Sequence, residues 1–268
     1  MTTETKKYTA TSRAGFFGAP ISWVALFGAL IGALSIVPVV FYSTGGGFIS
    51  AGMALVAPAC GILLGPWAGA VSGTIGGVIG MMISPGAYPG GLLDVFLSGT
   101  LIPLTWGLLQ PKYRKFLYFY YPLQVFSMWF FPYYWPGPAA GLSTPKEPEW
   151  ILSNYWAVIG LVLFIGAPLI WKWVESPDRK KVIVGLLLNT YMACTLWTIP
   201  YNNIYMYYTR GPYEQALFIN ILRMVSSVGP IIILSTVVGY FLIRAVRKGN
   251  LRVVPNSWIA GINFQSKP

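Results

Sequence analysis

Charge is scarce in this chain. Only 9% of its 268 residues are Asp, Glu, Lys or Arg, against about 25% in a soluble domain. Histidine is absent, which excludes imidazole ligation of haem or copper, histidine–metal catalysis and a histidine proton relay. The two cysteines, Cys60 and Cys194, sit in apolar stretches. They are too few for a disulfide framework, a four-cysteine zinc site or an iron–sulfur cluster. No apolar span holds a carboxylate pair, and Gly45-Gly46-Gly47 lacks the lysine and the strand–helix setting of a phosphate loop. The expectation is a protein that is not an enzyme and holds neither cofactor nor metal.

What the chain has instead is 55% apolar residues. A bilayer core of about 30 Å takes roughly 20 apolar residues per helix. Candidate spans run Ile21–Tyr42, Ile49–Leu64, Pro66–Ile83, Gly91–Leu109, Phe116–Phe131, Ile151–Trp171, Val182–Ile199 and Val225–Val246. The fold class expected is all-α, a polytopic transmembrane bundle of about eight spans in a cell membrane. The second stretch is short, so six spans plus a re-entrant hairpin turning at Gly65-Pro66 is the alternative.

Eighteen basic residues against seven acidic ones give a net charge of +11. The cations cluster at Lys6–Arg13, Lys112–Lys115, Lys172–Lys181 and Arg244–Arg252. With eight crossings and the N-terminus inside, every cluster falls on the cytoplasmic side, as positive-inside bias requires. The clusters form no continuous stripe, so nucleic acid is not an expected partner. Residues 1–20 read as a cytoplasmic tail leading into an uncleaved anchor, and 247–268 as a basic cytoplasmic tail. Between them lie a small-residue-rich half of four helices, 21–109, and an aromatic-rich half of about four spans, 110–246.

The first half carries Ala25-x-x-x-Ala29-x-x-x-Ala33 overlapping Gly28-x-x-x-Gly32. Further on come Gly65-Pro66-Trp67-Ala68-Gly69 and then Gly73, Gly76, Gly77 and Gly80. Small residues four apart let helix backbones approach closely, whether inside one bundle or between subunits. A glycine-rich loop, Ser84–Gly91, precedes a helix ending Trp106-Gly107-Leu108-Leu109. Over residues 20–110 this pattern resembles the substrate-binding S component of energy-coupling factor (ECF) transporters.

The resemblance implies that Ala25, Ala29 and Ala33 dock onto a transmembrane coupling protein driven by two cytoplasmic ATPases. It also implies a micronutrient bound near the outer face beneath the loops Ser43–Gly47 and Ser84–Gly91. The chain departs from the family in having eight spans rather than six. It also has Gly76-Gly77 where an acidic residue often accompanies the glycines.

Candidate substrate-binding residues are Tyr42, Thr44, Tyr88, Asp94, Trp129 and Arg223. Asp94 is the acidic residue within a span and must face water, a cavity or a cation. The other reading makes it a solvated carboxylate at a helix start, favoured by the dipole. Arg223 has the donor fork to hold an anionic group, or it snorkels to headgroups. Asn154, Asn189, Asn202, Asn203 and Asn220 are further polar candidates without a motif. The aromatics, 16% of the chain, read as interfacial belts, with an outer ligand cavity as the other reading. Two rival functions remain: an accessory membrane subunit of a larger complex, such as a respiratory one, and a stand-alone transporter coupled through Asp94.

Overall fold

A computed structural model describes residues 15–41, 46–130, 155–209, 222, 224–249 and 254–262. The described chain is predominantly helical. In order the helices are α1 (Ile21–Ala33), α2 (Gly52–Leu64), α3 (Pro66–Ile83) and α4 (Leu92–Leu108). They continue with α5 (Arg114–Phe130), α6 (Tyr155–Ile165), α7 (Ala167–Glu175), α8 (Arg179–Thr209) and α9 (Gly229–Arg247). A two-residue pair, β1 (Gly15–Phe16) with β2 (Ala19–Pro20), precedes α1. A hairpin of β3 (Pro38–Phe41) and β4 (Phe48–Ser50) follows it.

Among the described residues three helical segments, Pro66–Ile83, Arg179–Ile204 and Val225–Arg247, are long and apolar enough to cross a membrane. The number rises to five if each of two bent pairs forms one span. One pair turns by 92° between α4 and α5, the other by 69° between α6 and α7. Both breaks precede a proline near the start of the next helical piece, at Pro111 and Pro168. A residue before proline is disfavoured in the helical region, and Gln110 accordingly sits at φ −66°, ψ 151°.

The first helix is shorter than its apolar stretch, because it tightens into a 3₁₀ turn at Leu34–Ile36 and stops. Val37 lies extended before Pro38, which has no N–H to offer a helix, and the β-branched Val39 and Val40 then suit a strand.

Helix α2 is the centre of the small-residue half. Every side chain from Ala57 to Leu64 is buried, and α1, α3, α4 and α9 pack around it. A helix apolar on all sides belongs inside protein or lipid; here neighbouring helices enclose it, which relieves a short helix of having to match the bilayer thickness. Gly65 turns the chain from α2 into α3 at φ +84°, a conformation that favours glycine.

The glycines of α3 serve its neighbours one by one. A Cβ on Gly73 would collide with the carbonyl of Gly99 in α4, and one on Gly77 would lie 2.9 Å from Val95 Cγ1. Toward α1, a Cβ on Gly76 would lie 2.7 Å from the Gly28 carbonyl oxygen. Ser72 Oγ donates to the Val24 carbonyl of the same helix at 2.5 Å. Close packing within the bundle is therefore the use of this glycine run.

The two ends of the bundle differ in chemistry. At one end Gln110 Nε2 donates to the carbonyls of Gly107 (3.1 Å) and Asn256 (3.3 Å). Asn256 Nδ2 donates to Phe17 O at 2.8 Å, and Lys112 Nζ donates to Asn256 Oδ1 at 3.4 Å. Trp258 is buried edge-on against Trp171, with ring centroids 4.9 Å apart. Residues 254–262, expected in a basic tail, are thus packed under the bundle. Arg179 lies over the Tyr240 ring, and Arg247 bonds the end of α7 at this same basic end. The β3–β4 hairpin and the α3–α4 loop occupy the far end.

Gly73→Ala is expected to lower the apparent unfolding temperature in detergent, since overpacking against backbone costs about 1–3 kcal/mol. Gly239→Ala, whose Cβ would sit 3.4 Å from the flexible Leu186 Cδ2, is expected to leave it unchanged. A thermal melt followed by tryptophan fluorescence compares them.

Candidate functional site at the far end

At the far end strand β4 meets the α3–α4 loop; of the other loop expected to cover a ligand, Ser43–Gly47, residues 43–45 lie outside the described residues. Phe48 on β4 lies against Gly86 in the α3–α4 loop, where a Cβ would be 3.2 Å from its ring. Phe41 packs edge-on to Phe48 at 5.9 Å. Strand β3 also touches the π-helical turn Met224–Val228 that opens α9. Of the expected binding residues, Tyr42, Thr44 and Arg223 lie outside the described residues. The backbone of Trp129 belongs to α5, but its side chain lies outside them too.

Tyr88 and Asp94 are brought together, and both are almost fully enclosed, at 2% and 3% exposure. Asp94 sits in the first turn of α4, and its Oδ2 accepts the Gly90 N–H at 2.5 Å. The carboxylate therefore ties the loop to the helix start, close to where the helix dipole favours negative charge. It is buried rather than solvated. Tyr88 packs against Gly80 and Ser35, and its hydroxyl has no hydrogen-bond partner among the described residues. Ser35 Oγ donates to the Ile31 carbonyl at 2.8 Å. Burial pushes the Tyr88 phenol above its ordinary range; the Ser35 hydroxyl offsets part of this, and the Asp94 carboxylate adds to it.

On α1 the two overlapping small-residue series face different ways. Gly28 and Gly32 are buried, with Cβ positions that would lie 2.9 Å from Ile75 Cγ2 and 2.6 Å from Ile79 Cγ2 of α3. Ala25, Ala29 and Ala33 are all exposed. The glycine series is spent on the protein's own packing, whereas the alanine series leaves a smooth helix face open along α1.

A polar seam that the sequence reading left dispersed runs between α5 and α8. Tyr191, Thr195, Thr198 and Asn202 recur along α8 at intervals of four, three and four, which is one helix face. Helices α5 and α8 run parallel here, and their contacts come in layers. Tyr121 Oη and Thr195 Oγ1 hydrogen-bond in a fully buried layer. Two turns on, Asn203 Nδ2 donates to Ser127 Oγ at 3.2 Å, and Ser127 Oγ donates to the Gln124 carbonyl at 2.6 Å.

Gln124 and Thr198 fall between those layers, one turn beyond Tyr121 and Thr195. Gln124 Nε2 donates to Tyr120 Oη, but Gln124 Oε1 and Thr198 Oγ1 are buried with no partner among the described residues. Each helix also has an internal proline at this level, Pro122 and Pro200, and each removes one backbone N–H from the ladder. Trp197 Nε1 donates to Leu97 O at 2.7 Å, placing the seam within a turn of Asp94 in height along α4.

Nothing on the described seam is charged. Its unmet acceptor and hydroxyl suit a hydrogen-bonding neutral molecule, or water, because a buried polar group without a partner costs about 1–3 kcal/mol. The described residues contain no group of three His, Cys, Asp or Glu able to hold a metal ion. No family model, curated protein or solved structure matches this chain.

Thr198→Val keeps the side-chain shape and deletes the orphan hydroxyl. It is expected to stabilise the ligand-free protein by about 1 kcal/mol, whereas Tyr121→Phe is expected to destabilise it by a similar amount. Denaturant or thermal unfolding in detergent distinguishes the signs.

Proposed function

We propose that this chain is the membrane-embedded, substrate-binding subunit of an ECF-like importer that takes up a small micronutrient and is energised by separate ATPase partners. The carrying observation is the sorting of α1: Gly28 and Gly32 turn inward while Ala25, Ala29 and Ala33 remain exposed on one face. Small side chains are needed there if a second helix is to approach closely, as docking onto a transmembrane coupling protein requires.

Two further features support the reading. At the far end Phe48 of β4 meets Gly86 of the α3–α4 loop, which carries Tyr88 and is tied to Asp94 through the Gly90 N–H. The uncharged α5–α8 seam nearby supplies donors and acceptors without a counter-charge, which favours a neutral hydrogen-bonding substrate over an ion. In a cell membrane the basic end takes the cytoplasmic side. The topology is then eight crossings with both termini inside, and α6 with α7 form one bent crossing. The short α2 crosses under cover of its neighbours.

The test is co-purification from native membranes in mild detergent, with mass spectrometry of proteins and small molecules. An ATPase pair together with a second membrane protein is expected, with a neutral micronutrient bound. Ala29→Trp is expected to abolish recovery of those partners while leaving stability within about 0.5 kcal/mol, the usual range for an exposed position. Recovery of stoichiometric redox subunits, or an Ala29→Trp protein that keeps its partners, overturns the proposal.

A further inference from the structure

A second site lies at the basic end, away from the α5–α8 seam. A cleft of about 330 Å³ opens between the start of α8 and the end of α9. Its walls include Arg179, Arg244 and Arg247, with the Tyr240 ring and Pro177 beside them. The three guanidinium groups are not equivalent. Arg247 is anchored, its Nη2 donating to the carbonyls of Val174 (3.2 Å), Glu175 (3.4 Å) and Ser176 (3.0 Å) at the end of α7. Arg179 is steered by Tyr240, its Cζ 5.5 Å from the ring centroid. Arg244 is exposed on the last turn of α9.

The nearby carboxylates are committed to structural work. Asp178 Oδ1 accepts the Lys180 N–H at 2.8 Å and caps α8, and Glu175 Oε1 accepts Trp171 Nε1 at 3.0 Å. Lys180, Lys181 and Lys248 ring the cleft in sequence and are exposed. Asp178 and Glu175 keep their charge, but Arg179, Lys180, Lys181, Arg244, Arg247 and Lys248 outnumber them, so the local field is positive. It is strengthened by the start of a 31-residue helix, whose N-terminal dipole favours an anion.

The surface leading from the cleft toward the membrane interior is apolar. Ile183 and Leu187 follow Arg179 at four-residue steps on α8, and both are exposed. Val237 and Ile233 precede Arg244 by seven and eleven residues on α9, and both are exposed as well. They stand about one to three helical turns from the arginines, along faces that begin at them. A phosphate seated among the guanidinium groups would thus have hydrocarbon-compatible surface directly above it, a pairing that matches a phosphodiester carrying acyl chains better than a free ion.

We infer that the α8–α9 cleft is a binding site for one anionic phospholipid, its phosphate held by Arg179 and Arg244 and its acyl chains lying along Ile183, Leu187, Val237 and Ile233. Arg247 shapes the site while closing α7. The inference requires only that α8 and α9 cross the membrane and does not depend on the importer reading.

Native mass spectrometry of the detergent-purified full chain tests it, with dioleoyl phosphatidylglycerol, dioleoyl phosphatidylcholine and inorganic phosphate titrated separately and in competition. One equivalent of phosphatidylglycerol is expected to be retained in preference to phosphatidylcholine. Arg179→Gln and Arg244→Gln are each expected to weaken it about five-fold. Lys115→Gln, which removes an exposed charge at the same end outside the cleft, is expected to leave binding unchanged. Equal retention of the two lipids overturns the site. So does equal weakening by Lys115→Gln, which would mark bulk attraction. Displacement of phosphatidylglycerol by millimolar phosphate overturns the lipid assignment in favour of a phosphate site.

Discussion

Backbone-to-backbone contact at glycine holds the first half of this protein together. In a bilayer, lipid tails are as apolar as leucine, so helices gain little from hiding apolar side chains from one another. What remains is dispersion at short range and the hydrogen bonds that close approach permits. Helix α2 sits where that requirement is most severe. A Cβ on Gly52 would strike the Ile31 carbonyl, and a Cβ on Gly61 would strike that of Pro103. Gly107 likewise lies against Pro66 at the turn into α3. Enlarging any one of these positions would push apart two helices rather than one side chain, because backbone atoms occupy the far side of each contact.

The second half is built on a different principle. Aromatic and hydroxyl groups meet between α5, α6 and α8, as where Tyr121 stacks on Phe164 at 5.3 Å and bonds Thr195, with Gly160 of α6 leaving room for that pair. Tyr191 Oη donates to the Trp156 carbonyl at 2.9 Å. Such contacts are directional and leave unmet polar atoms where a layer is incomplete, as at Gln124 and Thr198. A tight glycine scaffold thus lies beside a polar, proline-interrupted seam within one bundle.

Much of this was legible in residue order. The breaks at Gly65-Pro66 and before Pro111 follow from backbone chemistry alone, and the described cations around Lys112, Arg179 and Arg247 lie at one end as their clustering suggested. Other features were not legible, for identifiable reasons. Two small-residue series on α1, offset by three positions, look equivalent in sequence; only the positions of Ile75 and Ile79 on α3 decide which is buried. The α8 face from Tyr191 to Asn202 has a readable helical spacing, but single hydroxyls are common in membrane helices. Its significance depends on Gln124, which joins it only through helix pairing. Asp94 was visible as an unusual carboxylate, while its partner, the Gly90 N–H, is a backbone group that no composition discloses. The stretch around Val254, Trp258 and Ile262 was obscured by the basic residues before it, though its apolar side chains are buried.

Asn256 gives the molecule a property in time as well as in space. Its side chain bonds the Phe17 carbonyl, 239 residues earlier in the chain, while its own carbonyl receives Gln110 and crowds Gly65. At translation speeds of 5–20 residues per second, Phe17 waits roughly 10 to 50 seconds for that partner. Throughout that interval the underside of the glycine scaffold stays open, and the edge of Trp171 that Trp258 will cover remains bare. A chain that stops short of this segment has α1 to α9 but lacks the contacts of Asn256 and Trp258 that close their underside.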